Sequence, residues 1–147
     1  MKKQILMMAA IGTFHFSNAQ DIPQHQVPSV ILNQFNTQFP KATDIEWELD
    51  GSLYSVEFET GWSIDHTLWY GDDGKMVKHK EDIPTNELPQ RVKDKIKGDF
   101  KGYTIDDIER ITDHGTIVYR IELNSLMHQD WDVVVDSEGT ILAKMAD

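Results

Sequence analysis

The residues that carry most enzymatic chemistry are either missing from this chain or unfavourably spaced. The chain has no cysteine, no Gly-x-Ser-x-Gly turn for a serine nucleophile and no glycine-rich loop for a phosphate group. His66 follows Asp65 and His114 follows Asp113, but neighbouring residues on a strand point to opposite faces, which argues against a catalytic dyad. We therefore predict that the protein is not an enzyme and has no catalytic residues.

Carboxylates and histidines are frequent, but their spacing along the chain does not predict a metal site. Glu46 and Glu48, like Glu57 and Glu59, share a strand face and could serve glycoside hydrolysis, although exposed pairs of this kind usually act as solvated spacers. The histidines lack ligand spacing such as His-x-Glu-x-x-His, and residues 72–74 (DDG) lack the other oxygens of a calcium loop. The sequence predicts no metal and no cofactor.

One predicted strand carries a large aromatic residue on its polar side. In residues 62–70 every second residue from Trp62 is apolar or histidine, whereas Asp65, Thr67 and Trp69 share the other phase. If the first set packs inside, Trp69 lies among polar groups on an open face, which is typical of a binding hot spot. Coverage of Trp69 by a loop or a neighbouring strand is the alternative. We expect the open-face binding residues to be Trp69, Thr67, Asp65, Glu57, Glu59, Val118, Arg120 and Glu122.

These residues belong to a pattern of about 60 residues that occurs twice. Val27-Pro28 begins a helical apolar pattern, and Leu88-Pro89 begins the same pattern 61 residues later. Two further motifs recur 65 residues on: 54–58 (YSVEF) as 119–123 (YRIEL), and 70–75 (YGDDGK) as 135–140 (VDSEGT). An internal duplication therefore organises the chain after residue 26.

Each repeat is predicted to contain one helix followed by three or four antiparallel strands. Pro28 and Pro89 favour helix starts, and the apolar residues after them stand four apart along one helix face. The apolar period then falls to two, which is typical of strands covered on one side. The sequence predicts an α+β fold in which one continuous antiparallel sheet carries both helices on one face and leaves the other open. Because no disulfide is possible, we expect the two repeats to share one core.

The beginning of the chain has the three parts of a secretory signal. Lys2 and Lys3 precede an apolar stretch over residues 5–16, and small residues lead to Ala19. We expect export to the periplasm or the outside of the cell. The expected organisation, in one compact body, is a signal peptide over 1–19, a linker over 20–26, a first α-β repeat over 27–80, a connector over 81–87 and a second repeat over 88–147.

The net charge limits the partners. The formal net charge is −11, and removal of residues 1–19 with their two lysines makes it −13. A surface of this sign repels phosphate polymers and anionic lipids, so we expect neither nucleic-acid binding nor direct membrane insertion. A basic protein, a neutral ligand or a divalent cation is compatible, and solubility is an alternative reason for the charge. Free sheet edges are compatible with a monomer or a weak dimer.

The order of these elements resembles the PepSY-like family of small exported bacterial proteins, also described as β-lactamase-inhibitor-protein-like. The resemblance rests on residues 88–96 (LPQRVKDKI), 119–123 and 133–142 (VVVDSEGTIL), and residues 27–77 repeat the same order. It implies a sheet with a concave face and a role in protein binding or inhibition. The β-lactamase inhibitor protein itself contains disulfides, so β-lactamase is not carried over as a target.

The sequence thus predicts an exported, non-enzymatic binding module that recognises a protein or peptide through the open face of its sheet. The alternative is an envelope protein that binds a small ligand or a cation, for which the acidic composition is the support.

Overall fold

The computed structural model describes residues 19–146 as an α+β fold with one nine-stranded antiparallel sheet and two α-helices. The strands lie side by side in the order in which they occur along the chain. They are β1 (Gln20–Asp21), β2 (Thr43–Asp50), β3 (Leu53–Thr60), β4 (Ile64–Tyr70), β5 (Met76–Asp82), β6 (Thr104–Asp113), β7 (Thr116–Asn124), β8 (Trp131–Asp136) and β9 (Ile141–Ala146). The predicted signal peptide, apart from Ala19, lies outside the described residues.

The two helices begin where the proline pattern predicts. α1 (Ser29–Gln38) lies between β1 and β2, and α2 (Gln90–Asp99) lies between β5 and β6. Pro28 and Pro89 directly precede them, because a proline before the first turn removes no helical hydrogen bond. Neither helix, nor any other in residues 19–146, has the length and apolar character needed to cross a membrane.

The strand register places both helices on the same face of the sheet. Residues paired across antiparallel strands share a face, and Leu68 pairs with His79, which pairs in turn with Thr112. Thr112 shares its phase with Arg110, which pairs with Tyr119. Leu68 packs in the apolar cluster of α1 and Tyr119 in that of α2, so the opposite face is free of helices, as predicted.

The apolar core consists of two clusters, one beneath each helix. Ile31 and Phe35 of α1 pack against β2, β3 and β4, whereas Val92 and Ile96 of α2 pack against β6, β7 and β8. The expectation of one shared core is therefore wrong. The helix side of β5 and its neighbours carries polar groups between the clusters, a set that we call the histidine seam: His66, His79, Glu81 and Arg110.

The irregularities of the first half of the sheet recur in the second. The first long strand of each half is bulged, between Thr43 and Glu46 and between Ile105 and Ile108. Register shifts, 3-10 turns and turn glycines recur in the same way: Trp69/Tyr70 with Val134/Val135, Gln24–Gln26 with Thr85–Glu87, and Gly74 with Gly139. The two halves therefore have the same order of elements.

Several strand boundaries differ from those predicted. Trp62, expected inside the third strand, lies in the β3–β4 hairpin and is 98% exposed, because Gly61 and Ser63 adopt positive φ and reverse the chain there. β5 continues to Asp82, two residues into the expected connector. Gln20–Asp21, expected in a linker, pairs with β2 as an edge strand.

Candidate functional site

The helix-free face carries a cavity of about 430 Å³ that extends from β2 to β6. Its lining is dominated by carboxylates: Asp44, Glu46, Glu57, Glu59, Asp65, Asp82, Asp107 and Glu109. Among the described residues that line it, Lys80 supplies the one ammonium group. We call this feature the acidic cavity.

The pairing of strands places these carboxylates side by side. Glu46 pairs with Glu57, which pairs with Thr67, which pairs with Lys80, so one row crosses four strands on the same face. The next row on this face contains Glu59 paired with Asp65 on β3 and β4, and Asp82 paired with Glu109 on β5 and β6. Alternation along each strand turns the apolar residues between them towards the helices.

Burial and repulsion by neighbouring carboxylates oppose ionisation of Asp82 in the acidic cavity. Burial, together with the carboxylates of Asp107, Asp65 and Glu109, raises the pKa of Asp82 to about 6 against the opposing effect of Lys80. Lys80 Nζ lies 3.1 Å from Glu109 Oε1, so this ammonium group is already paired. A cationic partner would relieve the repulsion that remains.

The same kind of repulsion acts on Glu48, which shares its strand face with Glu46. It makes the contribution of Glu48 to folding stability depend on pH. Burial raises the pKa of Glu48 above 4.5, and the Glu57 and Asp21 carboxylates raise it further. The folded chain thus holds this proton more tightly than the unfolded chain. The resulting stabilisation is complete below the unfolded pKa and is lost as the pH rises through the folded pKa.

We therefore expect Glu48→Gln, which cannot ionise, to raise the melting temperature at pH 7 by about 2–4 °C. Below pH 4 the variant and the wild type should melt together. Thermal unfolding monitored by circular dichroism at both pH values measures the difference. Glu138→Gln is the control, because Glu138 is exposed and pairs with Arg91. An equal gain at pH 4 and pH 7 would show that ionisation of Glu48 is not the cause.

The predicted binding residues all lie on the helix-free face, but the cavity takes in only half of them. Glu57, Glu59, Asp65 and Thr67 line it. Thr67 is 6% exposed, so its side chain forms part of the floor. The predicted residues that do not line the cavity are Trp69, Val118, Arg120 and Glu122.

The surroundings of Trp69 agree with the alternative interpretation, in which a neighbouring strand covers its side chain. Its ring is half-buried, and Lys78 Nζ of β5 lies 4.5 Å above the ring centroid. Trp69 Nε1 donates a hydrogen bond to Asp50 Oδ2 at 3.1 Å. An indole held by two neighbours is less available to a partner than the exposed ring that the alternation predicted.

Arg120 lies in an ion-pair network beside the acidic cavity. Its Nη2 donates to Asp132 Oδ2 at 2.6 Å and its Nη1 donates to Glu109 Oε2 at 3.3 Å. The side chains of Asp132 and Glu109 are only 11% and 12% exposed. Glu122 and Asp132 line a small cavity of about 20 Å³ next to Arg120. Val118, two residues before Arg120 on β7, is half-buried.

Several residues of this face were not predicted from the sequence. Glu46 was interpreted as a solvated spacer, and Asp82 was placed in the connector. Continuing the phase of Lys78 and Lys80 by two residues would have placed Asp82 on the open face, opposite Glu109. The other residues missed in this way are Asp44, Lys80, Asp107 and Glu109, together with the exposed Trp62 at the end of the β3–β4 hairpin.

The histidine seam on the opposite face brings together groups that are far apart in the sequence. His66 Nδ1 lies 3.1 Å from His79 Nε2 and 3.8 Å from Glu81 Oε2. Arg110 donates to the other carboxylate oxygen, Glu81 Oε1, from Nε at 2.9 Å and from Nη2 at 2.7 Å. Burial lowers the pKa of both histidines, so both rings favour the neutral form.

Sequence comparison matches most of the chain to a single family. The pattern of the family described as "Putative beta-lactamase-inhibitor-like, PepSY-like" matches residues 15–69 and again residues 53–143. The search of curated proteins gave no match to this sequence.

Solved structures from three Bacteroides species share the fold. A BLIP-like protein from Bacteroides fragilis is 16% identical, with a TM-score of 0.65 over 85% of this chain and 87% of that one. A DUF2874 family protein from Bacteroides uniformis is 15% identical, with a TM-score of 0.67 over 81% and 88%. A protein from Bacteroides eggerthii described as "putative periplasmic" is 17% identical, with a TM-score of 0.69 over 82% and 88%. At these identities the likeness shows the fold alone.

Proposed function

Because the chain belongs to the PepSY-like, β-lactamase-inhibitor-like family, we propose that it is an exported, non-enzymatic binding module that recognises a basic protein or peptide on its helix-free face. The acidic cavity carries this proposal. It gathers eight carboxylates against one ammonium group, and Lys80 is already paired. Such a surface attracts cationic partners and repels anionic ones.

The shape and lining of the cavity favour a macromolecule over a small organic ligand. Small-molecule sites are usually enclosed and mainly apolar, with a few polar groups that fix orientation. The acidic cavity instead spreads over five strands and is lined mostly by carboxylates. A protein or peptide with several lysine or arginine side chains matches both its breadth and its charge.

Exposed apolar side chains at one end of the sheet supply a second kind of contact. Trp62 is 98% exposed in the hairpin whose last pairs are Glu59 with Asp65 and Thr60 with Ile64, so its loop adjoins the acidic cavity. β7 runs in the same direction as β3, and the loop after it exposes Leu126 and Met127 at the same end. Large exposed side chains beside a charged surface are typical of interface anchors.

We also infer that export and duplication underlie this architecture. A structural relative is described as periplasmic, which agrees with the secretory signal proposed for residues 1–19. The family pattern matches twice, and the strand bulges and the turns of the first half recur in the same order in the second, which supports a tandem repeat. The acidic residues are concentrated in the first copy and at the junction, so the proposed binding face is asymmetric.

Capture of partners from the cell envelope of the source organism tests the proposed function. We expect cross-linking to the purified protein to recover a basic protein, and the double variant Glu46→Lys/Glu57→Lys to recover at least tenfold less. The matched control is Asp94→Lys/Asp99→Lys, which makes the same charge change on the exposed side of α2. Equal capture by both double variants would contradict recognition through the acidic cavity.

A divalent cation is the second candidate for the same face. Carboxylate oxygens of Asp82, Asp107 and Glu109 lie within 4.8 Å of one another, as ligands of calcium would. If no protein is captured while calcium raises the melting temperature and Asp107→Asn removes that effect, the cation function replaces the protein-binding function.

A further inference from the structure

We propose that the protein binds a zinc ion on the helix-covered face of its sheet, with His66 Nδ1, His79 Nε2 and Glu81 Oε2 as the three protein ligands. Two imidazoles and one carboxylate are a ligand set that zinc accepts, with water in the fourth position. One possible ligand atom from each of the three residues lies within 4.8 Å of the other two. By strand pairing the three ligands lie on the helix-covered face, although His66 also lines the acidic cavity, and the proposal does not depend on the proposed function.

The distances between the ligand atoms suit a tetrahedral ion. Zinc bonds of about 2.0–2.1 Å at tetrahedral angles place two ligand atoms about 3.3 Å apart. The separation is 3.1 Å between His66 Nδ1 and His79 Nε2, and 3.8 Å between His66 Nδ1 and Glu81 Oε2. These two separations lie on either side of the required one.

A second layer of side chains orients these ligands. Thr60 Oγ1 lies 2.7 Å from His66 Nε2, and when it accepts a hydrogen bond from Nε2–H the lone pair of Nδ1 faces His79. Arg110 holds Glu81 Oε1 with two donors and leaves Oε2 directed at His66. Outer hydrogen bonds of this kind fix the tautomer and orientation of ligands in zinc sites.

Burial and charge also fit a bound ion. His66 is 7% exposed, and burial favours its neutral form, which is the form that coordinates a metal. The guanidinium of Arg110 opposes a cation, but the carboxylates of Glu81 and Glu87, which lies 3.5 Å from Arg110 Nη1, offset it. The ligands lie on β4 and β5 between the two apolar clusters, so an ion there would link two strands where the core is interrupted.

The site has no counterpart in the second half of the chain. By the displacement of 65 residues, His66 corresponds to Trp131 and His79 to Lys144. Lys144 Nζ lies 3.6 Å from the centroid of the Trp131 ring, so a cation-aromatic contact occupies the equivalent place. The two histidines therefore represent a specific difference between the halves and not a requirement of the fold.

Zinc titration of the untagged protein after treatment with EDTA tests the proposal. We expect one zinc per chain by calorimetry, a zinc-dependent rise in melting temperature, and no response of this site to calcium. His79→Gln should weaken zinc binding at least tenfold, and Thr60→Val by about tenfold through loss of the hydrogen bond that orients His66. His114→Gln is the control, because His114 is an exposed histidine in a hairpin turn.

Two results would overturn the proposal. One is the absence of zinc binding by the wild type at 100-fold molar excess, which would leave the histidines as a hydrogen-bonded pair. The other is unchanged affinity in His79→Gln. If His79→Gln does not fold, X-ray absorption of the zinc-loaded wild type decides, since two imidazoles and a carboxylate are required in the first shell. The variant Glu46→Lys/Glu57→Lys should still bind zinc, which separates this outcome from failure of the proposed function.

Discussion

Replacing Arg120 with methionine is expected to lower the free energy of unfolding by about 3 kcal/mol, and the melting temperature by about 10 °C. The variant removes the cation that pairs with Asp132 at 2.6 Å and with Glu109 at 3.3 Å. Both carboxylates are almost buried, so Asp132 would lose its cationic partner with little water to screen its charge, while Glu109 would keep Lys80. Breaking a buried pair commonly costs about 3–5 kcal/mol, and the partial exposure of Arg120 places the effect at the lower end. Chemical denaturation at pH 7 measures the change.

Two companion variants separate the ion pair from simple loss of a side chain. Arg91→Met removes an arginine whose partner, Glu138, is as exposed as Arg91 itself, at 69%, and should cost less than about 1 kcal/mol. The double variant Arg120→Met/Asp132→Leu should recover most of the lost stability, because it leaves no unpaired charge at Asp132. If the double variant is less stable than Arg120→Met, the stranded carboxylate is not the cause.

Replacing Gly139 with alanine is expected to cost about 3 kcal/mol. Gly139 has a φ of +88°, where an L-residue is strained by about 1–2 kcal/mol. An added Cβ would also lie 2.9 Å from the backbone oxygen of Arg91 in α2, and backbone cannot rotate away as a side chain can. Separating α2 from the β8–β9 turn adds about 1–3 kcal/mol through lost packing.

Gly115→Ala isolates the contact from the backbone strain. Gly115 has a similar φ of +83°, but nothing lies within 4 Å of its added Cβ, so we expect a loss of about 1 kcal/mol. Denaturant midpoints of the two variants and the wild type provide the comparison. Equal losses at both positions would mean that the close approach to Arg91 contributes nothing to stability.

The two faces of the sheet present different chemistry. The helix-free face concentrates negative charge and adjoins the exposed Trp62, whereas the helix-covered face encloses the histidine seam between two apolar clusters. Under the proposed function, negative charge on the open face would favour the approach of cationic partners, because it acts over about 8 Å in physiological salt. A zinc ion bound by the histidine seam would instead link β4 to β5.

Much of the fold could be predicted from the sequence because it follows from local rules. Pro28 and Pro89 restrict the backbone before each helix, and alternation along each strand divides its residues between two faces. These effects act within a few residues, so the helix starts, the antiparallel sheet and the common face of the helices could all be read from the chain. The predicted ends of strands were less accurate. β5 continues to Asp82 because it pairs with β6 there, which its own composition does not indicate.

The candidate sites could be predicted only in part. Alternation placed Glu57, Glu59 and Asp65 on the open face, but it could not show that Asp82 and Glu109 meet across β5 and β6. Trp69 has the right phase for an open-face aromatic, yet Lys78 from the next strand lies over its ring. Contacts between strands depend on register, and register is not a property of one strand.

The sequence by itself determined the element order, the division of each strand into an apolar and a polar side, and the negative charge. Only the tertiary structure decided that the core is split, that the carboxylates gather into one cavity and that His66, His79 and Glu81 converge. The physical reason is the distance along the sequence over which each effect acts. Periodicity reflects neighbours within a few residues, whereas these three groupings arise where strands distant in sequence pair about 4.8 Å apart.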